Sequence, residues 1–166
     1  MLSACVSVPE NIQPVKNFKV EKYMGKWYEI ARLDHRFEKN MESVSAEYAL
    51  NEDGTVSVLN TGFLSTEKVW KSIKGKAKFA GIQDEGFLKV SFFGPFYGSY
   101  IIFDLDQTAY QYAFIAGPNT DYLWLLSRTP TVNKDVIQRF ENLATEKGFN
   151  TQNIIYVKQQ NHSNSF

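Results

Sequence analysis

A chain of 166 residues carries 18 Lys plus Arg against 18 Asp plus Glu, a formal net charge of zero. The length sets one domain able to bury its own core, and the charge balance argues against a phosphate-neutralising nucleic-acid binder. One Cys and two His, at 35 and 162, leave no intrachain disulfide, no cysteine zinc site and little for a multi-histidine metal centre. The 13 Phe, 9 Tyr and 3 Trp must therefore fill a core or line an apolar pocket.

The chain opens Met1-Leu2-Ser3-Ala4-Cys5. Leu-Ser-Ala before Cys has the pattern of the bacterial lipobox, in which a peptidase cuts before Cys and the thiol carries a lipid. Four residues hold neither the charged nor the apolar region of a signal peptide. An ordinary Cys on a frayed end is the other reading. Residues 6–17, with Pro9 and Pro14, read as an extended tether. No stretch approaches the ~18 apolar residues of a membrane helix, so a membrane contact would be an anchor and not a span.

Val20 to Gly25 allows one helical turn, and Trp27 to Leu33 is the first strand. Ser43 to Leu50 alternates, with Val44, Ala46, Tyr48 and Leu50 on one face. Asn51 to Gly54 is a hairpin signal before a strand from Thr55 to Phe63. In the strand Lys68 to Phe79, Ile73, Gly75, Ala77 and Phe79 oppose Lys74, Lys76 and Lys78, which form a solvated face. Trp70 breaks that parity and predicts a bulge or bend nearby. Runs at Gly86–Phe93, Ser99–Leu105, Tyr110–Gly117 and Tyr122–Arg128 follow, separated by turn signals. Several are apolar on both faces, which calls for a covering element.

Thr131 to Gly148 supplies it, with Asn133 as N-cap and Val136, Ile137, Phe140, Leu143 and Ala144 as one apolar stripe. A last strand, Ile154 to Val157, precedes a polar tail. Eight short strands, one helix and one more strand favour an all-β fold, an eight-stranded antiparallel up-and-down barrel with the helix packed outside. Such a barrel is just wide enough for one small ligand. A two-layer sandwich is the alternative. The expected organisation is a lipobox-like segment and tether over 1–17, the barrel domain over 18–158 and the polar tail over 159–166.

Gly25-Lys26-Trp27, extended by Tyr28-Glu29-Ile30, resembles the first-strand motif of the lipocalins. Arg128, closing the last barrel strand before the helix, resembles another of their motifs. Thr120-Asp121-Tyr122 matches a third literally but lies one strand late; Tyr110-Gln111-Tyr112 is its degraded counterpart. Arg32 to Glu38, Ser91 to Gly98 and Asp121 to Trp124 resemble the bacterial branch closely. The resemblance implies a lipoprotein anchored through Cys5 on the periplasmic side of the bacterial outer membrane. It also implies binding of fatty acids or lysophospholipids, to store or move membrane lipids under stress.

A closed barrel must plug its narrow end. Trp27 can supply a flat plug and Arg128 can stack on it by a cation–π contact. Gly25, Trp27 and Arg128 are therefore expected to close the barrel; Arg128 as a ligand counter-ion is the alternative. Alternation then turns Tyr122, Trp124 and Leu126 inward. The resemblance makes Trp124 and Tyr97 ligand contacts, against core packing and a surface position respectively. In the long first loop, Arg36 would pair with a carboxylate or phosphate head group and His35 would make that pairing pH-sensitive. The competing reading pairs Arg36 with Asp34 or Glu38. Phe37 would pack inward as a lid, and Phe114, Phe79, Phe92 and Tyr112 are candidate lining residues.

No cofactor is expected. An enzyme acting on an apolar molecule and a tetrapyrrole carrier using His35 are the alternative functions. A homodimer contact through Phe96 and Tyr97 is a further expectation.

Overall fold

The structure is a computed structural model that describes residues 7–160, with only the backbone at Phe93 and Phe96. Cys5 and His162 lie outside the described residues. The elements run α1 (Val20–Tyr23), β1 (Gly25–Leu33), β2 (Met41–Leu50), β3 (Val56–Leu64), β4 (Val69–Phe79), β5 (Phe87–Phe93) and β6 (Phe96–Leu105). They continue with β7 (Tyr112–Ala116), β8 (Leu123–Ser127), α2 (Lys134–Glu146), a 3-10 turn (Thr151–Asn153) and β9 (Ile154–Tyr156).

Each of β1 to β8 pairs antiparallel with its neighbour, and β1 pairs with both β8 and β2 to close an eight-stranded barrel. Closure leaves the barrel strands without free edges. Alternation sorts the side chains into two apolar layers. Trp27, Ala46, Tyr48, Val56, Val58, Ala77 and Ile115 pack inside the barrel. Ile30, Ala31, Ile101, Phe114, Leu123 and Leu125 face out and pack under Phe140 and Ala144 of α2. The helix starts where the Asn133 side chain accepts from the Val136 amide at 3.1 Å. Arg139 then fastens it to β6 through two bonds to Asp104, at 2.8 and 2.9 Å.

Strand β1 meets β2 only from Gly25 to Tyr28. Beyond that point the two strands part, and β9 lies along Ala31 to Leu33. The segment after β9 fills the gap. Gln159 donates from Nε2 to the carbonyls of Glu29 (2.7 Å) and Val44 (3.0 Å), bridging the parted strands. The Ser43 hydroxyl donates to the Gln160 carbonyl, and the Ser43 amide to that of Lys158. The expected polar tail is thus corrected: Gln159 and Gln160 are part of the barrel seam.

Irregularities fall where the sequence did not announce them. The β3–β4 register is unbroken from Val56↔Ala77 to Leu64↔Val69, so the bulge expected near Trp70 is absent. Trp70 faces outward with Phe63, ring edge to ring face at 5.5 Å. A register shift sits instead in β1, between Glu29 and Ala31.

Candidate functional site

The narrow end of the barrel is built around Trp27, which is completely buried. Its indole N–H donates to the Tyr23 carbonyl at 2.8 Å. The Arg128 guanidinium lies 3.9 Å over the ring. It also donates to the carbonyls of Tyr110, Lys26 and Lys22 at 2.9 to 3.2 Å. Gly25 is needed here: its φ is +98°, and a Cβ would sit 3.4 Å from the guanidinium.

Above this plug, three phenols meet. Tyr100 shares hydrogen bonds with Tyr23 at 2.6 Å and Tyr48 at 2.9 Å. Burial pushes all three hydroxyls above the ordinary tyrosine range, Tyr48 to about 12, so they stay protonated. A void of about 10 Å³ lies among Phe18, Tyr23, Tyr48, Leu88, Val90 and Tyr100, scarcely a water's worth of space.

The wider end is different. Strand β4 is exposed on both faces from Val69 to Lys74. Register places Ile73 opposite Asn60 and Lys71 opposite Gly62, continuing the inward set of Ala77 and Val56. Ile73 is 37% exposed although it faces inward. Gly98 pairs with Val90 on the inner wall, and a Cβ there would meet nothing within 4 Å. With Phe92 and Trp124, which border the inner core, these residues mark the wider, incompletely covered end of the barrel lumen.

Over the lumen lies the loop between β1 and β2, held by a buried ionic network. The register shift in β1 turns both Glu29 and Arg32 inward, Arg32 alongside Trp124. Arg32 is 2% exposed. It donates to Glu29 Oε2 (3.0 Å), Asp34 Oδ1 (3.2 Å) and the Glu38 carbonyl (2.8 Å). Glu38 Oε1 accepts from Trp124 Nε1 at 2.9 Å and lies 2.8 Å from His35 Nε2. His35 Nδ1 is buried without a hydrogen-bond partner, and Glu38 Oε2 lies 3.9 Å from the Arg32 guanidinium.

Burial raises the Glu38 carboxyl, but bonds from His35, Glu29 and Trp124 and the Arg32 charge outweigh it and hold the group at about 2. Burial, reinforced by the nearby Glu38 charge, pushes Glu29 well above the carboxylate range. One carboxyl of the pair is thus ionised and the other neutral.

The residues singled out from the sequence divide accordingly. His35, Tyr122 and Trp124 come together: Tyr122 stacks on Trp124 at 6.1 Å, and His35 contacts both rings. Three others stand elsewhere. Phe114 faces outward and packs against Phe140 at 5.1 Å, because Ala113 and Ile115 are the inward residues of β7; Tyr112 shares its outer face. Tyr97 is on the outer wall, under the ammonium groups of Lys78 (4.6 Å) and Lys89 (5.5 Å), because its neighbour Gly98 takes the inward position.

Phe37 does not pack inward but is 64% exposed, with Arg36 stacked 4.8 Å over its ring. The carboxylates of Asp34 and Glu38, considered above as Arg36's partners, belong to Arg32. Arg32, Glu29 and Lys71 were missed. The signal available for the first two was a pair of charged residues, Glu29 and Arg32, in the otherwise apolar run from Trp27 to Leu33.

A closed eight-stranded up-and-down barrel, plugged at one end, open at the other and covered by one helix, defines the lipocalin class of fold. Residues 18–159 match the model of the lipocalin-like domain. The chain is 52% identical over 160 residues to the outer membrane lipoprotein Blc of Vibrio cholerae, covering 96% of this chain and 94% of that one. It is 45% identical over 161 residues to Blc of Escherichia coli, at 96% and 90% coverage. Among solved structures, insecticyanin of the tobacco hornworm superposes with a TM-score of 0.75 at 18% identity, over 93% of this chain and 88% of that one. The chain belongs to the lipocalin family.

Proposed function

We propose that this protein carries a single-chain lipid, a fatty acid or a lysophospholipid, at the bacterial outer membrane. The observation that carries the reading is the open inner wall: Ile73 exposed to the lumen and free space beside Gly98. An inward apolar residue left uncovered is a surface waiting for an apolar partner. An acyl chain would lie along Ile73, Val90, Phe92 and Trp124, with its polar end toward the mouth. Lys71 would meet a carboxylate or phosphate there. Among the described residues it pairs with Glu67 at 3.8 Å, both partners more than half exposed, which competes weakly. His35, whose Nδ1 has no hydrogen-bond partner, would meet a hydroxyl of the head group.

The location follows from relatives that are named outer membrane lipoproteins in Vibrio cholerae and Escherichia coli. Cys5, with the lipobox pattern before it, would carry the anchor on the periplasmic side. A role in membrane maintenance under stress accords with such a carrier. Binding rather than catalysis accords with the site: His35, which an axial-ligand or general-base reading would need, is already engaged with Glu38.

Native mass spectrometry of gently extracted protein tests the proposal, together with quenching of Trp124 fluorescence by added lysophospholipid. A co-purifying lipid and saturable quenching are expected. Apo mass alone with no quenching overturns it.

A further inference from the structure

The chain after β9 runs along the gap between the parted strands and bonds to each in turn. Toward β1, the Val157 amide donates to the Ile30 carbonyl at 2.9 Å, and Gln159 Nε2 donates to the Glu29 carbonyl at 2.7 Å. Toward β2, the Lys158 carbonyl accepts from the Ser43 amide at 2.7 Å, and the Gln160 amide donates to the Ser43 hydroxyl at 3.1 Å. Gln159 reaches both strands with one side chain, since Nε2 also donates to the Val44 carbonyl at 3.0 Å.

These contacts fall on the two irregular points of the seam. In β1, Glu29 pairs with Leu126 and Ala31 with Leu125, so Ile30 is the extra residue of a bulge. In β2 the register shifts between Glu42 and Ser45, and Ser43 holds φ at +49°, a costly conformation for a residue with a Cβ. A bulge interrupts the ladder and leaves backbone groups to be paired from elsewhere. Both carbonyls of the β1 bulge, Glu29 and Ile30, accept from residues 157–159.

The same bulge orients the mouth. It turns Glu29 and Arg32 to one side, toward Leu126 and Trp124. Arg32 bonds there to the Glu29 carboxyl and reaches the carbonyls of Glu38 and Met41 at the far end of the loop. Glu38 in turn accepts from the Trp124 indole. Bonded contact is therefore continuous from Gln159 through Glu29 and Arg32 to Glu38.

We propose that Gln159 is a positioning residue of the mouth. By fixing the Glu29 carbonyl it holds the bulge, and through Glu29 and Arg32 it keeps the loop closed over the lumen. It thereby sets how fast a lipid enters and leaves. The lipid half of the proposal rests on the carrier reading above; the coupling from Gln159 to the loop does not. Because the Gln159 bonds go to backbone carbonyls of β1 and β2, their loss should change rates more than equilibrium affinity.

Gln159→Met keeps the length of the side chain and removes both donors. Gln159→Lys keeps a donor able to reach the two carbonyls. The full-length proteins are compared by amide exchange, and by stopped-flow uptake and release of cis-parinaric acid, a fluorescent fatty acid. In Gln159→Met, exchange across 34–40 should quicken about tenfold while β5 and β6 keep their wild-type rates. Parinaric acid should enter and leave several-fold faster with little change in Kd. Gln159→Lys should restore most of both. A merely structural bond would quicken exchange throughout the barrel together and lower the urea midpoint in step; that result overturns the proposal, as does an unchanged loop.

A double-mutant cycle supplies a second arm. Trp124→Phe releases the other end of the same latch, so Gln159→Met added to it should quicken loop exchange less than Gln159→Met does alone. Full additivity overturns the coupling. Wild-type protein that takes up no parinaric acid counts against the carrier reading and removes the lipid half, and amide exchange still decides for or against Gln159.

Discussion

Trp124 and Glu38 stand 86 positions apart and share a hydrogen bond of 2.9 Å between indole nitrogen and carboxylate. The bond fastens the mouth loop to the last barrel strand. Since a bond to a charged acceptor is worth about 1.5–3 kcal/mol, Trp124→Phe should free the loop while keeping an apolar ring at the site. Amide exchange across residues 34–40 should quicken by about ten- to a hundredfold, with the rest of the barrel unchanged. Unaltered exchange would show that the bond does not hold the loop.

The two inward carboxyls predict opposite pH effects. Glu38 is held near 2, below its ordinary 4.5, so its contribution to stability is complete above about 4.5 and is lost as pH falls toward 2. Glu29 is raised, so the folded protein keeps that proton, and this costs stability as pH climbs above the ordinary carboxylate range. Glu38→Gln should therefore remove stability at neutral pH and flatten the acid limb. Glu29→Gln, which keeps the neutral form, should leave neutral-pH stability equal or higher. Urea midpoints across the acidic and neutral range check both signs.

Arg32 is the only cation bonded to Glu29, Asp34 and Glu38 together among the described residues. Arg32→Met should cost about 3–5 kcal/mol, the usual penalty for leaving buried charge uncompensated. Arg32→Lys should recover little, because a point charge cannot reach three separate acceptors as the guanidinium fork does. Equilibrium denaturation of both variants decides the matter; losses under about 1 kcal/mol would be incompatible with this network.

Core and lumen can be separated by substitution. Phe114→Ala should cost about 3–5 kcal/mol while the folded fraction keeps its lipid affinity, because the ring packs under α2. Gly98→Leu should do the reverse, filling open lumen and weakening lipid binding with little change in stability. Tyr97→Ala, on the outer wall, should leave lipid binding unchanged. Thermal melts paired with lysophospholipid titrations would expose any reversal of this pattern.

How much of this was written in the sequence depends on how local the cause is. Strict alternation in Val44–Tyr48 and Ile73–Phe79, the hairpin at Asn51–Gly54 and the stripe of the helix all depend on near neighbours, and all were legible. Lipocalin-like motifs located the Trp27–Arg128 pair. The ionic network was not legible, because Glu29 and Arg32 are three apart and a regular strand would send them to opposite faces. Only the register shift at Ile30 brings both inward. Tyr97 was misplaced for a related reason: in a turn-rich segment, nothing local says whether it or Gly98 faces in. Gln159 looked like tail because its partners, the carbonyls of Glu29 and Val44, lie more than a hundred positions away.

That last contact bears on how the barrel assembles. Its first two strands cannot be sealed together by their own pairing, which stops at Tyr28. They wait for residues 154–160 to arrive, after every other strand and the helix have been made. Until then the nascent sheet carries a raw edge along β1, the kind of surface on which chains stick to one another. Folding is therefore committed only when this segment emerges, and shortening the chain to Tyr156 should yield slow refolding and aggregation well before any loss of lipid contacts.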